Sequence, residues 1–417
     1  MSSPESGDGK PIHILFVGAG AVGCFYASRL HHPSKNIHVS LVCRSNYPTI
    51  AQSGVTLETR NFGTYTFHPH AVYPSISAAA ADASPLAPPS GRWDYVVVTT
   101  KALPDVVDDS ASIAPLMARD ADAHTCIVLI QNGVGIEAAH RARFPRNPIV
   151  SAVTVISAEQ LRHGFVRQNR WTRISMGAYT DGMAAAAATA ESSSSSPSSP
   201  DADASTTPHH HRDDLAARGD ACVRELVRLF SDVGGLRDAE HHTELALQQV
   251  RWHKLTINAS MNPSAVLSGG RTNAEMASAT TDPELRRHLK GVMQEIWDAA
   301  PAVLGAPLPA GLASPEKVLA STERNKGGKP SMLLDWERGS PLEIEVILGL
   351  PIRIARARGV ELPRLQTLYA LLKSQVFVRE RAKAEERGRA GAGAGGEGAG
   401  GEGVGAGRKE KEGEPKL

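Results

Sequence analysis

"PIHILFVGAGAVGCFYASRL", residues 11–30, decides the fold. An apolar run (Ile12, Ile14, Leu15, Phe16, Val17) gives way to Gly18, Ala19, Gly20, Ala21, Val22 and Gly23, and then to an amphipathic stretch. Strand, tight glycine turn and helix in that order make the opening of a dinucleotide-binding fold. The glycines let the backbone approach a pyrophosphate, and the N–H groups and positive end of the helix meet its charge. Residues 18–23 are therefore the candidate phosphate cradle.

"IHVSLVCR" (37–44) supplies the next strand, and it ends where such a fold chooses its cofactor. An Asp or Glu there would accept a hydrogen bond from a ribose 2′-hydroxyl. This chain has Arg44 instead, followed by Ser45 and Asn46. A guanidinium suits a 2′-phosphate, so NADP(H) is the expected cofactor. "WDYVVVTTKA" (93–102) and "TCIVLIQNGVG" (125–135) are further apolar strands, ending at Thr99-Thr100-Lys101 and Gln131-Asn132-Gly133. Open α/β sheets bind ligands just past the carboxyl ends of their strands. Lys101 and Asn132 are thus candidates for the ribose–nicotinamide side. "IVSAVTVISA" and "TRISMG" carry the β-rich pattern to about residue 177.

At 417 residues the chain is long enough for two domains plus extras. A net charge of +1 gives no case for nucleic acid or a membrane surface. No apolar run approaches the roughly 18 residues of a membrane span. The opening "MSSPESGDGK" resembles neither a signal peptide nor an Arg-rich transit peptide. Cys24, Cys43, Cys126 and Cys222 lack metal-ligand spacing, and free thiols in a reducing cytosol are expected. A cytoplasmic location follows from these features. Oligomeric state leaves no mark that can be read.

Two stretches carry too few large apolar residues to order themselves. One is "DGMAAAAATAESSSSSPSSPDADASTTPHHHRDD" (181–214), whose His209, His210 and His211 have no partnering Cys or His nearby, so no metal is expected. The other is the Gly-rich tail from 387 to 417. Between them the sequence reads as amphipathic helices: "ACVRELVRLFSDVG", "ELRRHLKGVMQEIWDAAPAV", "PLEIEVILGLPIRIARARG" and "PRLQTLYALLKSQVFVRERAKA". With no strand-like alternation there, the expected architecture is an α/β Rossmann-type dinucleotide-binding domain (11–180), then an all-α substrate and catalytic domain (215–386).

One more helix, "RWHKLTINASMNPSAV" (251–266), carries a polar stripe within apolar surroundings. Lys254, Asn258 and Asn262 fall at i, i+4 and i+8. Asn is a poor interior helix residue, because its amide competes for backbone groups. Past it, the loop "GGKPSMLLDWERG" and the segment that follows offer Ser331, Asp335 and Glu343.

Taken together these residues resemble the ketopantoate reductase family. The likeness is carried by "GAGAVG", "TTK", "QNGVG", "WHKLTINASMNP", "PSMLLD" and "LEIEVILG", in the family's order and approximate spacing, over most of residues 12–380. The resemblance implies NADPH-dependent reduction of 2-dehydropantoate, a branched 2-oxo acid, to its 2-hydroxy acid in pantothenate biosynthesis. It implies Lys254 as proton donor and Asn258, Asn262 and the Ser331 loop as substrate ligands. It also puts Asn132 at both cofactor and substrate, and Glu343 near the nicotinamide ribose. The family commonly shows Thr-Glu-Ile-Asp and then Ile-Asn-Gly, where this chain has Leu342-Glu343-Ile344-Glu345 and then Ile347-Leu348-Gly349.

Hydride delivery to a ketone builds negative charge on its oxygen, which a positioned ammonium stabilises and protonates. One cation and two amides, each a helical turn apart, would span the oxygens of a small acid. Three functions fit this pattern: ketopantoate reductase, a related reductase of another 2-oxo acid or ketolactone, and a non-catalytic NADPH-binding regulator. The complete set of Lys254, Asn258, Asn262 and Glu343 speaks against the third.

Overall fold

A computed structural model describes residues 10–181, 208–325 and 328–394. The first strands are near-continuous apolar runs, as expected of parallel strands covered on both faces. β1 (Ile12–Val17), β6 (Tyr95–Val98) and β7 (Cys126–Leu129) are almost wholly buried. β1 pairs in parallel with β2 (Ile37–Val42) on one side and with β6 on the other. This reversal of strand order is the switch point, where a crevice opens at the carboxyl ends of the strands.

The sheet has ten strands in the order β4-β3-β9-β8-β7-β6-β1-β2-β5, and β10 also pairs with β9. β8 (Ile149–Arg162) and β9 (Phe165–Ala178) form a long antiparallel hairpin. β3 (Val55–Thr59) and β4 (Gly63–Phe67) form a second hairpin that joins β9 through β3. β5 is Val72–Tyr73.

After residue 207 the structure departs from expectation, first in what packs on the sheet. The helix Pro208–Arg228 packs on the sheet: its Val223 and Leu226 share one apolar core with Ile14, Phe16, Val97, Val128 and Met176. A short strand, β10 (Ala239–His241), then extends β9 in parallel. The wholly helical part of the chain therefore starts at Glu244. The helix also begins inside the stretch expected to lack structure, so residues 208–214 are helical; residues 182–207 of that stretch lie outside the described residues.

The helix Glu244–Leu267 starts at Thr243, whose side chain accepts from Ala246 N. It packs most extensively on Pro283–Leu304 and also meets Ser331–Glu337, β8 and β9. Ser331 was expected in a loop, yet it opens a two-turn helix, since Pro330 sits pre-set at its N-terminal boundary. The segment expected as one helix over 341–359 is irregular to Glu343, makes a π-turn over Glu345–Gly349, and becomes α-helical over Leu350–Arg356. Pro351 has no N–H for the carbonyl four residues back and would strike it in a regular helix, and the wider turn relieves that clash.

Residue contacts divide the chain into two compact units, 1–369 and 370–417. The last helix, Pro363–Ala394, runs past the start of the expected tail, so residues 387–394 are helical rather than structureless. Its alanines favour extension of a helix already nucleated. No helix among the described residues is long and apolar enough to cross a membrane.

Candidate active site

β1 ends at Gly18, whose φ of +116° favours glycine. Its carbonyl accepts from Thr99 Oγ1 at 2.8 Å, which ties the turn to the end of β6. A Cβ on Gly23 would stand 2.4 Å from that carbonyl oxygen, so helix and strand approach too closely for any side chain. Gly20 differs. A Cβ there would meet nothing within 4 Å, and Gly20 caps the helix Ala21–Leu30 without a side-chain acceptor. The space beside Gly20 at the start of that helix is thus open, a cradle that fits an anion such as a pyrophosphate. Ala19, Ala21 and Val22 complete the turn, and Asn46 Nδ2 braces it by donating to the Ala19 carbonyl at 2.7 Å. Arg44 is exposed just past the carboxyl end of β2.

Beyond the cradle, three residues from distant parts of the chain form one line. Lys254 Nζ donates to Asn132 Oδ1 at 2.9 Å, and Asn132 Nδ2 donates to Glu343 Oε2 at 3.0 Å. Glu343 Oε1 accepts from the backbone of Ala102 at 3.1 Å. The amide of Asn132 is thereby oriented, oxygen toward the cation and nitrogen toward the carboxylate. Burial pushes the Glu343 carboxyl above the usual range, against the two hydrogen bonds it accepts. Burial also lowers the Lys254 ammonium to about 8; the charge of Arg251 lowers it too, and Glu343 works the other way.

Lys254 opens on a small pocket, lined also by Asn132, Gly133, Val153 and Asn258. Gly133 holds φ +84°, and a Cβ on it would stand 2.4 Å from Val346 in the π-turn. Val134 N donates to the Val346 carbonyl at 3.0 Å, so the π-turn forms the backing of the pocket.

The expected site residues fall into two groups. Lys254, Asn132, Glu343 and Asn258 converge on the pocket or its supporting line. Lys101 lies at the adjoining strand end, where its Nζ pairs with Asp335 at 2.6 Å and donates to the Pro341 carbonyl at 3.1 Å. Asn262 is buried two turns past Lys254, with its Nδ2 unpartnered, and does not line the pocket. Ser331 is exposed at the first turn of its helix, also away from the pocket lining. Arg251 was passed over, although it precedes Lys254 by three residues and shares its helix face. Glu137, which pairs with it at 3.3 Å, carries no local sequence signal.

A mostly parallel sheet with a glycine cradle at its carboxyl edge, beside a buried lysine–asparagine–glutamate line, defines an oxidoreductase of the dinucleotide-dependent type. The chain belongs to the ketopantoate reductase family: residues 14–181 match the family model "Ketopantoate reductase PanE/ApbA" and residues 246–376 match its C-terminal counterpart. It is 30% identical to the uncharacterized protein YDL144C of Saccharomyces cerevisiae, over 86% of this chain and 92% of that one. Among solved structures it resembles 2-dehydropantoate 2-reductase from Methylococcus capsulatus, with 29% identity and a TM-score of 0.64 over 87% of this chain and 96% of that one. The fold is shared with a D-mandelate dehydrogenase solved with NADH and anilino(oxo)acetate, at 18% identity and a TM-score of 0.60 over 88% and 99% of the two chains.

Proposed function

We propose that this protein reduces 2-dehydropantoate to pantoate with NADPH, in the cytoplasm, as a step of pantothenate biosynthesis. The observation that carries this reading is the Glu343–Asn132–Lys254 line ending at a small pocket. Residues 18–23 would hold the pyrophosphate, Arg44 the 2′-phosphate, and Lys101, Asn132 and Glu343 the nicotinamide ribose side. When bound, the cofactor supplies the hydride.

The chain's own residues do the rest. Lys254 directs its ammonium into the pocket, where it meets the charge growing on the substrate oxygen and donates the proton. Burial holds its pKa down at about 8, near the working range of a general acid. Asn132 fixes the direction of that ammonium, and Glu343 fixes Asn132. Asn258, one turn on, offers an amide to the substrate from the pocket wall. Asn262 and Ser331 are kept as substrate ligands on the strength of the family resemblance.

A second reading, reduction of a different 2-oxo acid or a ketolactone, is favoured by one feature. The residues that depart from the family pattern, Leu342 to Gly349, include the π-turn against which Gly133 packs. The test is NADPH oxidation with 2-dehydropantoate beside a panel of branched and aromatic 2-oxo acids. A much higher kcat/KM for another acid selects the second reading. NADPH binding without turnover of any of them would leave only a regulator.

A further inference from the structure

The pocket holds a second cation that proton donation does not use. Arg251 lies one turn before Lys254 on the same helix face and lines the same pocket, yet it is only 3% exposed. Its Nη1 donates to the carbonyls of Gln131 (3.2 Å) and Gly133 (2.9 Å), the residues on either side of Asn132. Its Nη2 donates to Ser151 Oγ (2.6 Å) and to the Ala152 carbonyl (3.0 Å) on β8. Glu137, 2% exposed, sits 3.3 Å from Arg251 Nε and accepts from Ser151 Oγ at 2.6 Å and Gln248 Nε2 at 3.1 Å.

Stability alone is a weak reason to bury such a pair, since well-packed apolar residues often serve as well. A planar guanidinium, however, can hold four acceptors from two chain segments in one fixed arrangement, and it keeps its own proton. We propose that Arg251, paired with Glu137, is a positioning residue: it clamps the Gln131–Gly133 turn so that Asn132 faces Lys254, and it keeps a fixed positive charge one helical turn from the ammonium. This rests on the reading of Lys254 as proton donor. Both carbonyls flanking Asn132 are tied to one nitrogen, so the turn cannot swing without losing both hydrogen bonds. The neighbouring charge disfavours a second cation and makes Lys254 a readier acid, while Glu343 tempers that effect and Glu137, paired with Arg251, offsets part of its charge.

The test pairs steady-state kinetics over pH with NMR titration of lysine-labelled protein, the Lys254→Ala spectrum identifying the resonance. In Arg251→Met, Lys254 should titrate about one pH unit higher, and kcat near neutral pH should fall at least about tenfold. Arg251→Lys keeps the charge but not the fork, so Lys254 should titrate near its wild-type pH while kcat still falls. Glu137→Gln should move the titration the opposite way, to lower pH. If Arg251→Met folds poorly, the other two variants carry the test. Unchanged Lys254 titration in Arg251→Met or Glu137→Gln, with losses confined to the thermal midpoint, overturns the proposal. The titration needs no substrate. A wild-type protein that reduces no 2-oxo acid would therefore overturn the reading of the site, while the predicted shifts would still support the hold of Arg251 on Lys254.

Discussion

Lys254 and Asn132 lie 122 residues apart in the chain and 2.9 Å apart at Nζ and Oδ1. One comes from a helix, the other from the turn after β7, and their contact exists only once sheet and helix have packed. A side chain held this way by an uncharged acceptor keeps its proton available, which a carboxylate partner would oppose.

Lys254→Ala should therefore act on turnover. The loss is expected chiefly in kcat, by roughly two to four orders of magnitude, with NADPH affinity nearly unchanged. Lys254→Arg should restore little, because a guanidinium is a poor proton donor of different shape. Asn258→Ala should raise KM instead, by the equivalent of about 1 kcal/mol. Steady-state kinetics with fluorescence titration of NADPH checks all three; wild-type kcat in Lys254→Ala would remove Lys254 from the role of proton donor.

The pH profile follows from the same group. Lys254 donates only while protonated, so kcat/KM should fall as pH rises through about 8. Glu343 favours the charged form, so Glu343→Gln, measured at saturating cofactor, should move that fall to lower pH. Stability has the other sign. Between about 8 and the ordinary 10.5 the unfolded chain binds the proton that the folded one has released, so this group adds stability as pH rises through that window. The Lys254→Ala midpoint should therefore fall relative to wild type as pH rises through this window; a difference that holds constant or grows in favour of the variant would contradict the sign.

Arg44→Asp should erode or reverse a preference for NADPH over NADH, because the carboxylate repels a 2′-phosphate and accepts from a 2′-hydroxyl. Equal kcat/KM with the two cofactors in the wild type would remove Arg44 from this role.

Gly133→Ala should be costly for its size. Its φ of +84° costs an alanine about 1–2 kcal/mol. In addition, the new Cβ would meet Val346 at 2.4 Å, so turn or π-turn must move. A lower thermal midpoint together with a lower kcat is expected; a midpoint equal to wild type would mean the π-turn yields freely.

Much of this was written locally. The glycine turn after β1 and the run of buried strand residues are short-range signals, and they identify the parallel half of the sheet directly. The stripe Lys254–Asn258 is legible because a helix repeats every few residues. Arg251 was missed because an isolated arginine usually signals solvent, and its four acceptors come from the distant turn after β7 and the start of β8. The hairpin of β3 and β4 was missed too, since half of its side chains face outward and dilute the apolar signal. The helix Pro208–Arg228 looked like its neighbours in sequence because amphipathicity states that a face is buried, and says nothing of what buries it.

That helix sets a condition on how the protein can be made. A ribosome finishes β9 at Ala178, but Val223 and Leu226 of this helix, with Leu229 and Phe230 just past it, belong to the same apolar core as Phe16, Val97 and Val128. The nascent sheet must wait for them with part of that core uncovered, a state prone to sticking to other chains. A fragment cut at residue 181, where the first family match ends, would never leave that state. Expression of the dinucleotide-binding half on its own should thus carry the chain on through Leu236, the last residue of that shared core.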